Sequence, residues 1–388
     1  MTHQIAYISY NDDDHGLKER SMTILDDFFV DDKFQIINEP TGIIFVASGG
    51  CEQAAIKLTE NLNNITLLCH RESNSYAATM EIASYLRDRG SRVSIIDVFA
   101  SGAYSEFIEL KKVNKAIDEL SGQKSAAIGV ISDWLINSDI EESIVKEKLG
   151  IELLRLPWEK LDDYRKEDSS KEFLSYFPDF DNSELLDTAK VYSLLEKVIG
   201  EYDISAITVE CFSMVMKDKV TACLPLAVLN TKNTVAACEG DVCSMIGSMI
   251  IRAISGVIPW QANVAEIKDN TILFAHCTAP LNLLKSYNIT THFETNCGTA
   301  IQGEFIIGKV GVFRINNKLD KYMLLEGEVV DTPTHSFACR TQINFRTTSD
   351  QSNLLKNSSL GNHQLIFPAE YIPLVNKMMK QLNIVRVM

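Results

Sequence analysis

The sequence lacks long hydrophobic runs, and it lacks any pair of cysteines with CxxC spacing. No stretch approaches the roughly 20 consecutive apolar residues that cross a bilayer. The first residues also lack the basic segment and apolar run of a secretory signal peptide. We therefore expect no transmembrane helix, no membrane partner and no secretory signal.

Positive charge is scarce relative to negative charge. The chain has 37 lysine and arginine residues against 52 aspartate and glutamate residues, which gives a net charge of −15. Phosphate contacts require clustered lysine and arginine, so this composition argues against a nucleic-acid partner. Hydrophobic residues are 46% of the 388 residues, which is enough for a large core and for two or three domains.

The nine cysteines are scattered through apolar runs. An odd number without CxxC spacing is typical of buried, reduced thiols, and this predicts a cytoplasmic protein. Cys238 and Cys243 are the closest pair in the sequence, but two further ligands for a zinc site cannot be assigned beside them.

Apolar runs rich in β-branched residues alternate with amphipathic helical stretches through residues 1–155, and again through residues 156–285. This alternation is typical of βαβ units on parallel sheets. Residues 286–388 instead contain short apolar runs separated by Gly, Asn and Asp, followed by a final helix, which indicates an antiparallel barrel or sandwich. We therefore predict an N-terminal α/β domain, a second α/β domain and a C-terminal β domain with these three ranges.

Polar residues follow several predicted strands at the edge where α/β proteins bind ligands. Glu239 follows a strand and precedes Asp241, which fits the N-cap of the next helix. His276 ends a later strand, and His363 follows a polar turn. Together Glu239, His276 and His363 offer the oxygen and nitrogen ligands that a hard or borderline divalent cation takes.

Two loops of the N-terminal domain occupy similar positions. Ser48-Gly49-Gly50 and Ser73-Asn74-Ser75 each follow a predicted strand and open a helix. Each loop fits either a tight turn with a helix cap or a ligand-binding loop. Neither has the GxGxxG or Walker A pattern of a nucleotide site.

Several short segments carry a family resemblance. The more specific ones are Cys238–Asp241, Trp260–Asn263 and Phe274–Cys277, with Gly361-Asn362-His363 near the end; the weaker ones are Val46–Glu52, His70–Ser75 and Met80-Glu81-Ile82. Together they resemble the L-fucose isomerase-like and L-arabinose isomerase-like proteins. The resemblance implies two Rossmann-like parallel-sheet domains followed by a C-terminal antiparallel β-barrel.

The resemblance also implies an activity. These families interconvert aldoses and ketoses through a cis-enediol with a divalent metal, commonly Mn²⁺. By resemblance, Glu239 and Asn263 are the catalytic pair, and the metal ligands are Glu239, Asn263 and His363. The implied substrate contacts are His276, Trp260, Gln261, Ser73 and Asn74. The implied partners are a small-molecule sugar and further copies of the chain, in a trimer or a hexamer.

Asn263 departs from the fucose-type pattern, which has Asp in this position. An amide oxygen ligates a metal weakly, and Asn cannot accept a proton. Glu266 or Asp241 can take the second acid/base role, or one carboxylate can work with a water or a sugar hydroxyl. Alternatively the chain is a non-catalytic sugar-binding or regulatory paralogue, or a metal-independent enzyme acting on another carbohydrate.

Overall fold

The computed structural model describes residues 2–11 and 13–388. The chain forms two compact units, Met1–Lys115 and Ala116–Met388. None of the helices in the described residues is long and apolar enough to cross a membrane.

The first unit is built on a five-stranded parallel sheet. Its strands are β1 (Thr2–Ile8), β2 (Lys33–Ile37), β3 (Ile43–Val46), β4 (Asn64–Cys69) and β5 (Arg92–Asp97), in the order β2-β1-β3-β4-β5. Its helices are α1 (His15–Phe28), α2 (Glu52–Leu58), α3 (Ser75–Asp88) and α4 (Ala103–Leu120), of which α4 continues past residue 115. Asp14 caps α1 by accepting a hydrogen bond from the Leu17 amide at 2.9 Å, as expected of an acidic helix start. The acidic run Asp12-Asp13-Asp14 predicts a helix start here, because carboxylates suit a helix N-terminus. Asp12 itself lies outside the described residues.

The second unit begins with a four-stranded parallel sheet. Its strands are β6 (Lys124–Ile128), β7 (Glu152–Leu156), β8 (Ala206–Val209) and β9 (Val235–Cys238), in the order β7-β6-β8-β9. Its helices are α5 (Glu142–Leu149), α6 (Lys171–Ser175), α7 (Asn182–Tyr202), α8 (Phe212–Asp218), α9 (Cys223–Thr231) and α10 (Val242–Ser255). Strand β9 is buried along its whole length, so the chain leaves the sheet edge at Cys238 from inside the core.

A closed antiparallel barrel completes the second unit. Its six strands are β10 (Trp260–Lys268), β11 (Thr271–His276), β14 (Gly308–Ile315), β15 (Lys321–Asp331), β16 (Thr341–Arg346) and β17 (Gln364–Pro368). The remaining elements are the hairpin of β12 (Leu284–Thr290) and β13 (Ala300–Phe305), the helices α11 (Ser349–Ser358) and α12 (Ile372–Gln381), and β18 (Val385–Arg386) beside β15. The strand order β14-β17-β10-β11-β16-β15 closes because β14 also pairs with β15, which leaves no free edge.

The predicted fold class is confirmed: parallel α/β sheets precede a C-terminal antiparallel barrel. The alternating pattern assigns the apolar run Ala126–Ile131 to the sheet of the first α/β domain and the run Thr271–Ala275 to that of the second, but the corresponding strands lie in other sheets. Lys124–Ile128 pairs with β7 and β8 in the second sheet, and Thr271–His276 pairs with β10 and β16 in the barrel. Buried strands of parallel sheets and of small barrels have similar apolar sequences, so their patterns do not reveal their partners. The domain ranges 1–155, 156–285 and 286–388 stay predictions.

Candidate functional site

The turn after β9 places a carboxylate at the edge of the second sheet. Glu239 and Gly240 both adopt left-handed backbone conformations, with φ of 64° and 74°. Glycine tolerates this conformation, whereas a glutamate in it stores backbone strain of about 1–3 kcal/mol. Such strain persists only where surrounding contacts hold the residue in that conformation, and strained residues of this kind cluster at functional sites. The strained residue here is the one that the sequence assigns to catalysis.

Three potential ligand groups meet at this turn. The carboxylate of Glu239 and the imidazoles of His276 and His363 offer ligand atoms that all lie within 4.8 Å of one another. Glu239 Oε1 lies 3.7 Å from His276 Nε2 and 3.5 Å from His363 Nε2. Both imidazole nitrogens are buried without a hydrogen-bond partner. The two carboxylate–imidazole distances are below twice a metal–ligand bond of about 2.1 Å, so the cluster fits a divalent cation.

His363 is oriented by the carboxylate behind it. Its Nδ1 lies 2.8 Å from Asp241 Oδ2, and the same carboxylate oxygen accepts a hydrogen bond from Arg314 at 2.8 Å. An ionised carboxylate only accepts, so His363 Nδ1 is the donor. The neutral imidazole then carries its lone pair on Nε2, on the side of Glu239. This carboxylate–histidine arrangement is the usual support of a histidine ligand.

His276 has the opposite tautomer when it is neutral. The backbone amide of Thr278 donates to His276 Nδ1 at 3.1 Å, which makes Nδ1 the acceptor. The proton of the neutral ring therefore sits on Nε2, which faces Glu239. Neutral His276 thus offers a hydrogen-bond donor to the cavity, while His363 offers a lone pair toward Glu239 only in its neutral form.

Arg314 anchors this arrangement from inside the second unit. It is fully buried, and it donates to Asp241, to the Ser244 hydroxyl and to the Ser138 hydroxyl at 2.8 Å each. Asp241 also caps α10 by accepting from the Ser244 amide at 2.7 Å. One buried arginine therefore ties β14 and α10 to the loop after β6, and it holds the carboxylate that orients His363.

Gly361 makes room for that arginine. It has a φ of 146°, and a Cβ atom in its place would lie 2.8 Å from Arg314 Nη2. The glycine two residues before His363 is therefore required both by the backbone conformation and by the close approach of the guanidinium.

The charges of the cluster shift one another's protonation. Burial acts to raise the pKa of Glu239, but the charge of His363 and the closeness of both imidazoles hold it well below its ordinary value. Burial acts to lower the pKa of His363, but the Glu239 charge and the Asp241 hydrogen bond raise it to about 9. Burial likewise opposes ionisation of Asp241, yet Arg314 and His363 keep its pKa below the usual range.

Glu239 and His276 face a cavity of about 270 Å³. Its described lining consists of aromatic, acidic, imidazole and thiol side chains: Trp134, Cys211, Phe212, Cys223, Cys238, Glu239, His276, Cys277, His292, Glu294 and Cys339. The indole Nε1 of Trp134 donates to Glu239 Oε2 at 3.0 Å, and the Phe212 ring packs edge-on against Trp134 at 5.1 Å. The cavity is thus a pocket with an aromatic wall beside a carboxylate.

Trp134 and Phe212 were missed at the level of sequence. Trp134 lies six residues beyond the end of β6 at Ile128, and Phe212 lies three beyond the end of β8 at Val209. Both therefore follow parallel strands, as Glu239 does. The signal was available in the rule that side chains after parallel strands gather at one edge of the sheet.

The predicted barrel residues adjoin the cluster in different ways. Asn263 Oδ1 accepts from Asn362 Nδ2 at 2.6 Å, and Asn263 Nδ2 contacts Cys339 Sγ at 3.7 Å. The side-chain amide of Gln261 accepts a hydrogen bond from the Cys238 amide at 2.9 Å and donates one to the Cys238 carbonyl at 3.3 Å. It therefore stabilises the backbone that leads into Glu239. Trp260 is fully buried, and its Nε1 donates to the Thr278 carbonyl at 2.7 Å. Their roles as ligand or substrate contacts stay predictions.

Ser73 and Asn74 belong to the first unit. They have φ of 54° and 58° before helix α3, and both are exposed. With Ser48, Gly49 and Gly50 they line a separate open cavity of about 670 Å³ in that unit. The structure brings the two predicted loops together, and their role in binding substrate stays a prediction.

The two alternatives to Asn263 differ in their surroundings. Asp241 is fully buried and is engaged by Arg314, His363 and the Ser244 amide. Glu266 is exposed on β10, and it does not line the cavity described above. Asp241 therefore orients a neighbour, and neither residue offers a free carboxylate to the cavity.

Comparison with known proteins finds a partial similarity to a sugar isomerase. The chain matches no protein-family model. Over 155 residues it is 25% identical to a sulfoquinovose isomerase from Alkalicoccus urumqiensis. The matched region covers 37% of this chain and 35% of that relative, so the chain spans about a third of the length of the relative it matches.

Proposed function

We propose that this protein is an aldose–ketose isomerase that acts on a free or modified aldose, with Glu239 as its base. The observation that carries the proposal is the cavity carboxylate beside two buried, unpartnered imidazole nitrogens. The partial similarity to a sulfoquinovose isomerase supports the same reaction class. The resemblance to fucose and arabinose isomerases supports it from the sequence.

Glu239 and His363 are the residues that would hold a divalent cation, with the amide oxygen of Asn263 as a proposed third ligand. Oxygen and imidazole ligands suit Mn²⁺, the cation we propose, and other divalent cations. When bound, such a cation supplies Lewis-acid polarisation of the sugar oxygens.

The remaining chemistry belongs to the protein side chains. Glu239 takes the proton from C2 of the aldose and returns it to C1, while the hydroxyl proton on O2 passes to O1; the two transfers convert the aldose to the ketose through a cis-enediol. The Nε2–H of neutral His276 donates a hydrogen bond to a sugar oxygen as charge develops on it. Trp134 and Phe212 provide an apolar wall for the C–H face of the sugar.

The charges of the cavity favour a neutral sugar. Its described lining contains the carboxylates of Glu239 and Glu294 and includes neither lysine nor arginine. A sulfonated sugar such as sulfoquinovose would meet no permanently cationic partner among these residues. We therefore propose that neutral aldoses are the better substrates.

We further propose that the protein is cytoplasmic and that it forms a homo-oligomer, a trimer or a hexamer, as the resemblance to the isomerase families implies.

The test is deuterium incorporation. Purified protein is incubated in D₂O with Mn²⁺ and a panel of neutral aldoses, together with sulfoquinovose. The masses of the recovered sugars are then measured by mass spectrometry. Removal and return of the C2 proton adds one mass unit to the aldose even when the equilibrium disfavours the ketose. We expect exchange with at least one neutral aldose and none with Glu239→Gln. Exchange that persists in Glu239→Gln would contradict the assigned base.

A second candidate function is a non-catalytic sugar-binding or regulatory protein. Asn263 favours it, because an amide at the second carboxylate position cannot accept a proton. This function predicts that a sugar raises the unfolding temperature while no sugar of the panel gains deuterium. The first proposal predicts both effects with the same sugar.

A further inference from the structure

A second group of ligand side chains lies on the wall of the same cavity. Cys277, Glu294 and Cys339 offer ligand atoms within 4.8 Å of one another. Cys277 directly follows β11 and Cys339 comes two residues before β16. These positions are adjacent because His276 pairs with Thr341 at the end of that strand ladder. Both thiols are buried, and Glu294 reaches them from the exposed loop between β12 and β13.

Hydrogen bonds hold this group together. The Cys339 thiol donates to Glu294 Oε1 at 3.5 Å. The other carboxylate oxygen of Glu294 lies 3.0 Å from His292 Nε2, and His292 Nδ1 lies 3.1 Å from the Thr295 hydroxyl. Glu294 is therefore oriented toward the thiols by a histidine behind it, which is a common support of metal-binding carboxylates.

The donor set differs in kind from that of Glu239 and His363. Two thiols and one carboxylate suit a thiophilic cation such as Zn²⁺, whereas Mn²⁺ prefers oxygen ligands. All nine cysteines lie in the described residues and each is a free thiol, so no disulfide competes for this pair. Three protein ligands leave one position of a tetrahedral cation for water or another small molecule.

We propose that Cys277, Cys339 and Glu294 form a second cation site, selective for thiophilic divalent cations such as Zn²⁺. All three residues line the cavity that contains Glu239, so a cation there occupies part of the space proposed for the sugar. The inference goes beyond the isomerase proposal and does not depend on it, because cation binding is measured without turnover.

The experiment titrates the reduced, metal-free full-length protein with Cd²⁺ alone. Binding is followed by the ultraviolet sulfur-to-cadmium charge-transfer absorption, and stoichiometry by equilibrium dialysis. We expect the wild type to develop this absorption and to retain it in excess Mn²⁺. Cys339→Ser removes one of two thiolates, and we expect it to lower Cd²⁺ affinity more than about tenfold and to lose about half of the absorption at saturation.

Two further variants keep the result interpretable. Glu294→Gln changes an exposed carboxylate, so it is expected to fold, to lower the Cd²⁺ affinity and to keep the thiolate absorption. Cys211→Ser is the matched control, because Cys211 lines the same cavity outside the cluster. Absence of absorption in the wild type would overturn the proposal. Absorption lost in Cys211→Ser but retained in Cys339→Ser would overturn it as well.

Discussion

Two histidines face one carboxylate here with different chemical capacities. The Asp241 carboxylate fixes the Nδ1 proton of His363, and the Thr278 amide fixes the lone pair on Nδ1 of His276. One ring is thus prepared to ligate and the other to donate. The same residue type can take two roles because the hydrogen-bond partner of Nδ1 sets the tautomer of each ring.

This difference predicts unequal effects on cation binding. His363→Ala removes a ligand lone pair, and we expect it to weaken Mn²⁺ binding by on the order of 100-fold. His276→Ala removes a donor, and we expect less than a tenfold loss together with slower sugar exchange. Mn²⁺ titration followed by electron paramagnetic resonance measures both constants. Equal losses would show that both rings ligate.

Glu239→Gln keeps the shape of the side chain and removes its basicity. We expect loss of C2 exchange, because an amide cannot take up the proton, with the unfolding temperature within a few degrees of the wild type. Trp134 can still donate to the amide oxygen. Calorimetry beside the deuterium assay separates lost chemistry from lost structure. Near-normal exchange would mean that another group is the base.

Asn263→Asp restores the carboxylate of the fucose-type pattern. A charged oxygen binds a divalent cation more strongly than an amide oxygen, so we expect tighter Mn²⁺ binding. The contact of Asn263 Oδ1 with Asn362 Nδ2 is retained by a carboxylate. Isothermal titration with Mn²⁺ gives the change, and an unaltered constant would show that position 263 does not face the cation.

At the scale of elements, the buried Arg314 joins a barrel strand to helix α10 and to the support of His363. A buried ion pair gives little net stability, but removing one partner leaves an uncompensated charge in the core. The strand and the helix are therefore coupled through a single guanidinium, and its loss affects folding and site geometry together.

We expect Arg314→Met to lower the free energy of unfolding by about 3–5 kcal/mol, because Asp241 loses its arginine partner. Arg346→Met is the matched control, since Arg346 forms an exposed pair with Glu328 at 3.0 Å and its loss is expected to cost about 1 kcal/mol or less. Urea unfolding followed by circular dichroism measures both variants. Similar losses in the two would contradict the anchoring role.

The cation proposal has a consequence for the whole second unit. Glu239 follows a strand of its parallel sheet, while His363 precedes a barrel strand, and a cation that binds both stabilises the folded chain over the unfolded one. We expect Mn²⁺ at about 100 times its dissociation constant to add about 2.7 kcal/mol to the unfolding free energy of this unit. Denaturant unfolding with and without Mn²⁺ tests this. A chelator should reverse the effect, and His363→Ala should abolish it.

The sequence predicted the architecture because strand-forming and helix-forming patterns are local. It did not predict which sheet each strand joins: Lys124–Ile128 and Thr271–His276 have ordinary buried-strand sequences, and their neighbours come from distant parts of the chain. The sequence also selected Glu239, His276 and His363, which the structure brings together. The tautomers of the two histidines were not predictable, because Asp241 and the Thr278 amide set them through contacts that exist only in the fold.

The left-handed backbone of Glu239 has a consequence for how selectively the proposed site binds a cation. The conformational cost of aiming this carboxylate is met when the chain folds, so an arriving ligand orders little of the protein. Preorganisation of this kind limits how far the backbone that carries the carboxylate can shift to suit cations of different radius. For the proposed cation site we therefore expect discrimination among cations to follow from the fixed spacing of the turn, as in a rigid chelator.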